Sequence, residues 1–329
     1  MKILHTLHWV QFAGTEKVCT DLCNEMSRKH DVYILSKSEI QKYLEQEKVT
    51  LIEFDFEKNR YNPIFLLQTA KILKKIKPDI IHCHNTKELE IMKYAQLFLD
   101  YKIPLVVTRH NAEFKKNNSY ADIGVAVSTE TMEYMNSKKN ILITNGVATK
   151  TPHKIELGKN FNILAVGRLA KVKGFDLLLK ALSKVNFDFN LIILGEGNEK
   201  NNLEKLAKDL NISNKVEFKG FQENVADYVY STDLQVIASE TEGLSISLIE
   251  AILYAKLLVA SDISNHKDII GKELVFRRDE NTLAEKLNNV HENYDKFMEI
   301  FSQIKEKKEQ FSITTMTQKY IQAYKSLLK

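Results

Sequence analysis

Two short segments of the chain carry residue types whose spacing suits phosphate and sugar chemistry. The first is GRLAKVKG, Gly167 to Gly174, set between the apolar run FNILAV and the helical pattern FDLLLKAL. A glycine at a strand end lets a ligand approach the backbone. Arg168 and Lys173 add two cations at a strand–loop–helix junction, a good place to hold a diphosphate, because a guanidinium binds two oxygens at once. Taken alone, the same segment also reads as a solvated basic loop. The second segment is ETEGLSISLIEA, Glu240 to Ala251, which follows LQVIA. Gly243, Leu244 and Ser245 fall at the start of a helix, where unpaired N–H groups and the dipole favour an anion. Glu250 falls inside that helix beside Leu248, Ile249 and Ala251, where a carboxylate is costly to bury without partners. Sugar hydroxyls would be suitable partners for Glu250, since a carboxylate can accept two of them. The alternative, equally compatible with the spacing, has Glu242 capping the helix and Glu250 paired with a core Lys or Arg.

The elements around these segments set their geometry. In the first half, short β-branched runs (Lys2 to His8, Asp31 to Leu35, Val49 to Phe54, Ile80 to His84, Leu105 to Thr108, Ile123 to Val127, Ile141 to Thr144) alternate with helical patterns at Thr15 to Lys29, Pro63 to Lys77, Lys87 to Asp100 and Thr129 to Ser137. The second half restarts the rhythm, with strands from Phe161 to Phe276 and a charged helical tail after Asp279. Such alternation implies βαβ units and parallel, doubly wound sheets. The stretch NGVATKTPHKIELGKN, with Asn145-Gly146, Pro152 and Gly158, reads as a linker. The expected layout is α/β with two Rossmann-like domains facing each other across a cleft: residues 1–145, a linker 146–160, residues 161–310, and a closing helix 311–329 that can pack back on the first domain. In open α/β sheets ligands bind beyond the carboxyl ends of the strands, where both motifs lie.

Composition narrows the function classes. With 44% hydrophobic and 27% charged residues the chain is an ordinary globular protein, so disorder, collagen and coiled coil are excluded as whole-chain descriptions. The most apolar stretch, Gly243 to Ala260, is broken by Glu250 and Lys256, short of the ~20 apolar residues of a membrane span. MKILHTLHWV is interrupted by His5 and His8 and lacks a following small-residue cleavage site, so a buried first strand is expected rather than a signal peptide. Cys19, Cys23 and Cys83 are too few for a disulfide framework and point to a reducing compartment. The net charge of +4 arises in residues 1–150, with 22 Lys and Arg against 18 Asp and Glu. That suits mild attraction to phosphates or anionic lipid and falls below what a dedicated nucleic-acid binder shows.

Together the two motifs resemble the nucleotide-sugar domain of the family 4 retaining glycosyltransferases of the GT-B fold (glycosyl transferases group 1). The likeness spans nearly the whole chain and rests on features in order: LIILGEG, VEFKGF and DLQVIAS between the motifs, ITNGV at the hinge, the His-bearing strand ends KPDIIHCHN and VVTRHN, and FAGTEKV after the first strand, with Ala13 where a second glycine is common. The resemblance implies roles. Arg168 and Lys173 would hold the donor diphosphate and stabilise the departing nucleotide. Glu250 would bind the ribose hydroxyls, Glu242 the hydroxyls of the donor sugar, and the Gly243, Leu244 and Ser245 amides would help hold sugar and phosphate. His110 would lie near the donor sugar and reacting centre, and Gly14 would line the phosphate and acceptor side. After the second motif the family often carries a Gly-Pro or Cys-Pro pair and a Gly-Gly loop. This chain has AKLLVASDISNHKDII instead, with Leu257 and Ser264-Asn265 at those places, so a loop of changed chemistry is expected beside the donor.

The implied activity is metal-independent transfer, with retention, of a hexose or N-acetylhexosamine from a nucleotide sugar, UDP-linked by frequency in the family. No cofactor is required beyond that donor substrate. No two Asp residues stand two apart, so the D-x-D metal motif of the other main transferase fold is absent. The acceptor would be a hydroxyl of a surface glycan such as lipopolysaccharide or lipooligosaccharide core, or a lipid-linked oligosaccharide. The partners would then be nucleotide sugar and glycan, with no nucleic acid. The place would be the cytoplasm, with room for peripheral contact at the inner membrane. PIFLLQTAKILKKIK, with Lys71, Lys74, Lys75 and Lys77, would provide such contact or simply pack on its sheet. Two other readings keep the fold: a nucleotide-sugar epimerase, and a non-catalytic partner subunit. GEGNEK partly matches a dinucleotide fingerprint but has Lys200 in place of the third glycine. His82 and His84 share a strand face, as a zinc pair would, but the sequence suggests no third ligand.

Overall fold

The central β-branched runs are buried on both faces, the pattern that parallel sheets require, while most of the edge strands are partly exposed. In the computed structural model, which describes residues 1–8, 13–45, 47–111 and 113–328, the strands form two sheets in two units. One unit holds Met1–Ala148 with Gln310–Lys329, and the other holds Thr149–Glu309. In the first unit the order along the chain is β1 (Lys2–Thr6), α1 (Gly14–Ser27), β2 (Asp31–Ser36), β3 (Val49–Glu53), α2 (Pro63–Ile76), β4 (Ile80–Cys83), α3 (Thr86–Ala95), β5 (Leu105–Arg109), β6 (Ile123–Ala126), α4 (Thr129–Glu133) and β7 (Lys139–Leu142). The seven strands run in the order β3-β2-β1-β4-β5-β6-β7, all parallel. The order reverses between β1 and β4, which leaves a crevice beyond their carboxyl ends. Helix α2 shows how local chemistry fixes an element. Asn62 Oδ1 accepts from Ile64 N at 2.9 Å, Pro63 opens the helix, and Lys77 ends it in the left-handed conformation. Phe65, Leu66, Leu73 and Ile76 face the core.

The second unit contains β8 (Phe161–Val166), α5 (Phe175–Leu182), β9 (Phe189–Leu194), α6 (Lys200–Asp209), β10 (Val216–Gly220), α7 (Val225–Ser231), β11 (Leu234–Ile237), α8 (Ile246–Tyr254), β12 (Leu258–Ser261), α9 (Ser264–Ile270), β13 (Val275–Phe276), α10 (Glu280–Glu292) and α11 (Tyr294–Lys305). Its strands run β10-β9-β8-β11-β12-β13, again all parallel, with the reversal between β8 and β11. The stretch after Ala148 is tied to this unit: His153 N donates to Asp227 Oδ1 and Ile155 N to Ser231 Oγ, both at 2.7 Å.

The last helix, α12 (Ile313–Lys325), belongs to the first unit. Val147 N donates to Phe311 O at 2.9 Å and Ile313 N to Val147 O at 3.1 Å. Tyr320 and Tyr324, four apart and so on one face, are wholly buried. Their hydroxyls meet Thr108 Oγ1 at 2.8 Å and His82 Nδ1 at 2.7 Å.

Four elements differ markedly from the sequence expectation, among them α4, which ends at Glu133 rather than Ser137. β7 pairs from Lys139 to Leu142, two residues before the apolar run expected to form it, because the register with β6 begins at Lys139 and the strand is a largely exposed edge. α3 ends at Ala95 rather than Asp100, since the Gln96 side chain turns to accept from Ile103 N at 2.8 Å. Ser264–Ile270, read as loop, is the helix α9, and it buries Asn265, His266 and Ile270.

Candidate functional site

In the second unit both motifs stand at the reversal of strand order, the first after β8 and the second after β11. Backbone sterics bring them together. Gly174 has φ +67°, and a Cβ there would lie 2.2 Å from Ala238 O, so only glycine lets the first loop close on the end of β11. Glu240 N donates to Val172 O at 2.8 Å across the same seam. The side chains complete the junction: Lys173 Nζ forms an ion pair with Glu242 Oε1, which also accepts from Ser239 Oγ at 2.7 Å. Arg168 is exposed, and its guanidinium has no ion-pair or hydrogen-bond partner among the described residues.

The second motif is held from below. Asn265 Nδ2, on α9, donates to Glu242 O and Gly243 O at 2.6 Å each. Gly243, Leu244 and Ser245 are buried, and Ser245 is the N-cap of α8. Glu250 is half-buried in that helix, flanked by the buried Ile249 and Ala251. The structure therefore gathers Lys173, Glu242 and the Gly243–Ser245 backbone at one junction, with Arg168 on the first loop and Glu250 further along α8.

Sequence reasoning missed two supports here. Asn265 stood only as a departure from a family pattern. His266 is fully buried, with Nδ1 3.0 Å from Ser261 O, while its Nε2 has no partner among the described residues. Burial pulls its pKa down, countered by the Ser261 carbonyl and the Glu242 charge. Nothing local to SNH marks either residue as buried. The glycines of GEGNEK also find a structural use: a Cβ at Gly195 or Gly197 would lie 2.0 Å from Gly167 O or 2.2 Å from Leu169 O. They let β9's end press on the Arg168 loop.

In the first unit the ends of β1, β4 and β5 surround a polar cavity of about 180 Å³. His110, half-buried, lines it, as do Thr15 and Glu16 of α1. Gly14 opens that helix and is exposed. Ala13 N donates to Glu16 Oε2 at 3.2 Å. Phe12, which opens FAGTEKV, lies outside the described residues.

Imidazoles connect the cavity to the core. His110 Nε2 lies 3.3 Å from His84 Nδ1, and His84 Nε2 lies 3.3 Å from His5 Nδ1. His82, beside them, bonds to Thr108 and Tyr324. Burial holds His110 down at about 4, with the Arg109 charge adding to it, and holds His5 at about 3. These rings are therefore neutral at pH 7. Cys19 Sγ and ring nitrogens of His5 and His84 lie within 4.8 Å of one another, all three residues buried.

Glu88 is buried on the floor of the cavity. It accepts from Thr6 Oγ1 and His8 N at 2.7 Å and from His84 N at 2.9 Å. Burial raises its pKa to about 7 against the pull of these donors. It was missed, although Asn85-x-x-Glu88 is the spacing of a capping box. Asn85 Oδ1 does accept from Lys87 N at 3.1 Å.

The strand orders, reversed at β1/β4 and at β8/β11 in successive α/β units, are those of the GT-B fold. The structure resembles that of Anabaena HepE solved with UDP-glucose, with a TM-score of 0.86 at 19% identity, covering 99% of this chain and 100% of the other. Family models place the chain more narrowly. "Glycosyltransferase Family 4" matches residues 12–150 and "Glycosyl transferases group 1" matches residues 148–310, so the chain belongs to the family 4 glycosyltransferases. Among curated relatives, an uncharacterized glycosyltransferase of Haemophilus influenzae is 28% identical over 301 residues, covering 85% of this chain and 84% of its own length. An α-1,4-N-acetyl-D-galactosaminyltransferase of Campylobacter jejuni, named for a saccharide on diphospho-undecaprenol, is 27% identical and covers 98% and 97%. The chain is a glycosyltransferase.

Proposed function

We propose that this glycosyltransferase moves a hexose or N-acetylhexosamine from a UDP-sugar to a hydroxyl of a surface glycan, lipid-linked or of lipopolysaccharide core, with retention and without a metal. The second unit would hold the nucleotide sugar and the first the acceptor. The observation that carries this is the junction of Lys173 with Glu242 at the β8/β11 reversal, which sets a cation and a carboxylate beside the α8 N-terminus. Arg168 and Lys173 would take the oxygens of the leaving diphosphate, where positioned cations stabilise the developing charge. The Gly243–Ser245 amides would share that task. Glu250 would receive the ribose hydroxyls, and Glu242 the hydroxyls of the donor sugar. His110, a neutral imidazole, would accept or donate a hydrogen bond near the reacting centre, with Gly14 on the phosphate and acceptor side.

The UDP and UDP-glucose bound by HepE and the lipid-linked saccharide in the Campylobacter enzyme's name support the choice of donor and acceptor. The place of action would be the cytoplasmic face of the inner membrane. Among the described residues no helix is long and apolar enough to cross a membrane. Helix α2 exposes Ile64 at 68% and Leu67 at 43%, together with Lys71, Lys74 and Lys75, which suits peripheral contact.

The test is product analysis by NMR with UDP-hexoses, UDP-N-acetylhexosamines and lipid-linked or core glycan acceptors in EDTA. An α-linked product is expected. Turnover only with added manganese, or a donor epimerised without acceptor, would overturn the proposal.

A further inference from the structure

Arg109 is the last residue of β5 and is 7% exposed, an unusual place for a guanidinium. Its Nη1 donates to Thr86 Oγ1 at 3.1 Å, and its buried Nε has no partner among the described residues. No carboxylate among them comes within ion-pair distance of it. The acidic groups nearby are otherwise engaged. Glu113 pairs with Lys115. Glu16 accepts from Ala13 N, and Glu88 is held by Thr6, His8 and His84. Glu113 acts on the Arg109 guanidinium only at a distance and does not offset its burial, and a buried cation without a directly paired carboxylate is costly unless an anion arrives.

The surroundings suit that arrival. Arg109 lines the 180 Å³ cavity beside Thr15, Asn85, His110 and Asn111. Asn85 Oδ1 is used by Lys87 N, so its Nδ2 is left to donate. The volume is below the ~300 Å³ at which small-molecule sites begin, so it takes one group of a ligand rather than a whole glycan. The guanidinium fork matches the paired oxygens of a phosphate or carboxylate.

We infer that Arg109 and the cavity beyond β1, β4 and β5 bind an anionic group, phosphate or carboxylate, carried by the acceptor. That the ligand is an acceptor rests on the transferase reading above; the anion site itself does not.

The test is thermal unfolding of the full chain with inorganic phosphate or malonate at matched ionic strength, with and without UDP. In wild type, phosphate or malonate should raise the melting temperature by a few degrees, and this shift should add to that of UDP. Whichever anion gives the larger shift identifies the group. Arg109→Gln should lose the anion shift and keep the UDP shift. The general salting effect of phosphate is common to both proteins and cancels in the comparison. If Arg109→Gln fails to fold, Arg109→Lys, which keeps the charge and loses the fork, should bind the anion at least tenfold more weakly. An anion shift that survives in Arg109→Gln, that is undiminished in Arg109→Lys, that is absent for both probes in wild type, or that vanishes when UDP is bound would overturn the inference. Loss of the UDP shift in every form would instead count against the donor reading and leave the anion site standing.

Discussion

Replacing Asn265 by alanine tests how the donor-side loop is held. The Asn265 Nδ2 group donates to two carbonyls, Glu242 O and Gly243 O, at 2.6 Å each. Gly243 is buried, so its carbonyl finds no water when the amide is removed. A lost hydrogen bond with a buried acceptor left behind costs about 1–3 kcal/mol. With one acceptor buried and one partly solvated, the expected loss is roughly 2–4 kcal/mol. For a unit of about 160 residues each kcal/mol shifts the melting temperature by about 2–4 °C. The second unit should therefore melt roughly 4–16 °C lower, measured by calorimetry. Asn265→Asp, which removes the donor and sets a carboxylate against the same carbonyls, should do at least as much harm. Because the loop carries Glu242 and the Gly243–Ser245 amides, UDP binding should weaken in the same variants. Both variants melting within about 1 °C of wild type would refute this reasoning and show that the loop holds itself.

Other perturbations follow from the same geometry. Gly174→Ala forces a left-handed conformation on alanine and sets its Cβ 2.2 Å from Ala238 O, so calorimetry should show a loss of at least about 1–3 kcal/mol. Tyr324→Phe leaves His82 Nδ1 without its 2.7 Å partner and should cost about 1–3 kcal/mol, read from chemical denaturation of the first unit. Glu88 has a folded pKa of about 7 above an ordinary value of 4.5. Its stabilisation is thus full below about pH 4.5 and lost as pH rises to 7, on the order of 3 kcal/mol. Glu88→Gln should accordingly gain on wild type across that window, and a parallel pH–stability curve would contradict the assignment. His110 works in the opposite sense. Its folded pKa of about 4 lies below 6.5, so wild type loses stability relative to His110→Gln as pH falls from 6.5 to 4.

Much of this was legible in residue order. Alternating β-branched runs and amphipathic stretches gave the parallel sheets, since strands buried on both faces leave little choice of partner layer. The two motifs were legible because Gly174, Lys173 and Glu242 occupy the loops that follow β8 and β11, where α/β folds present their ligand-binding residues. What escaped was contact across long separations. Tyr320 and Tyr324 sit four apart and so visibly share a face, yet Thr108 and His82 lie 212 and 242 residues away. Helix α9 was hidden because SNH has turn composition, and its burial comes from the carbonyls of Glu242 and Gly243 on another segment. Nothing within VVTRHN marks Arg109 as unusual, because the cavity it lines is assembled from three strands.

The most direct measurement is a calorimetric titration of UDP in EDTA on wild type and Glu250→Ala, with GDP and NAD as comparisons. The account predicts binding of UDP to wild type without metal, a loss of that binding in Glu250→Ala, and none for NAD. Absence of binding by both UDP and GDP, or UDP binding that is indifferent to Glu250, would contradict the assignment of the donor site.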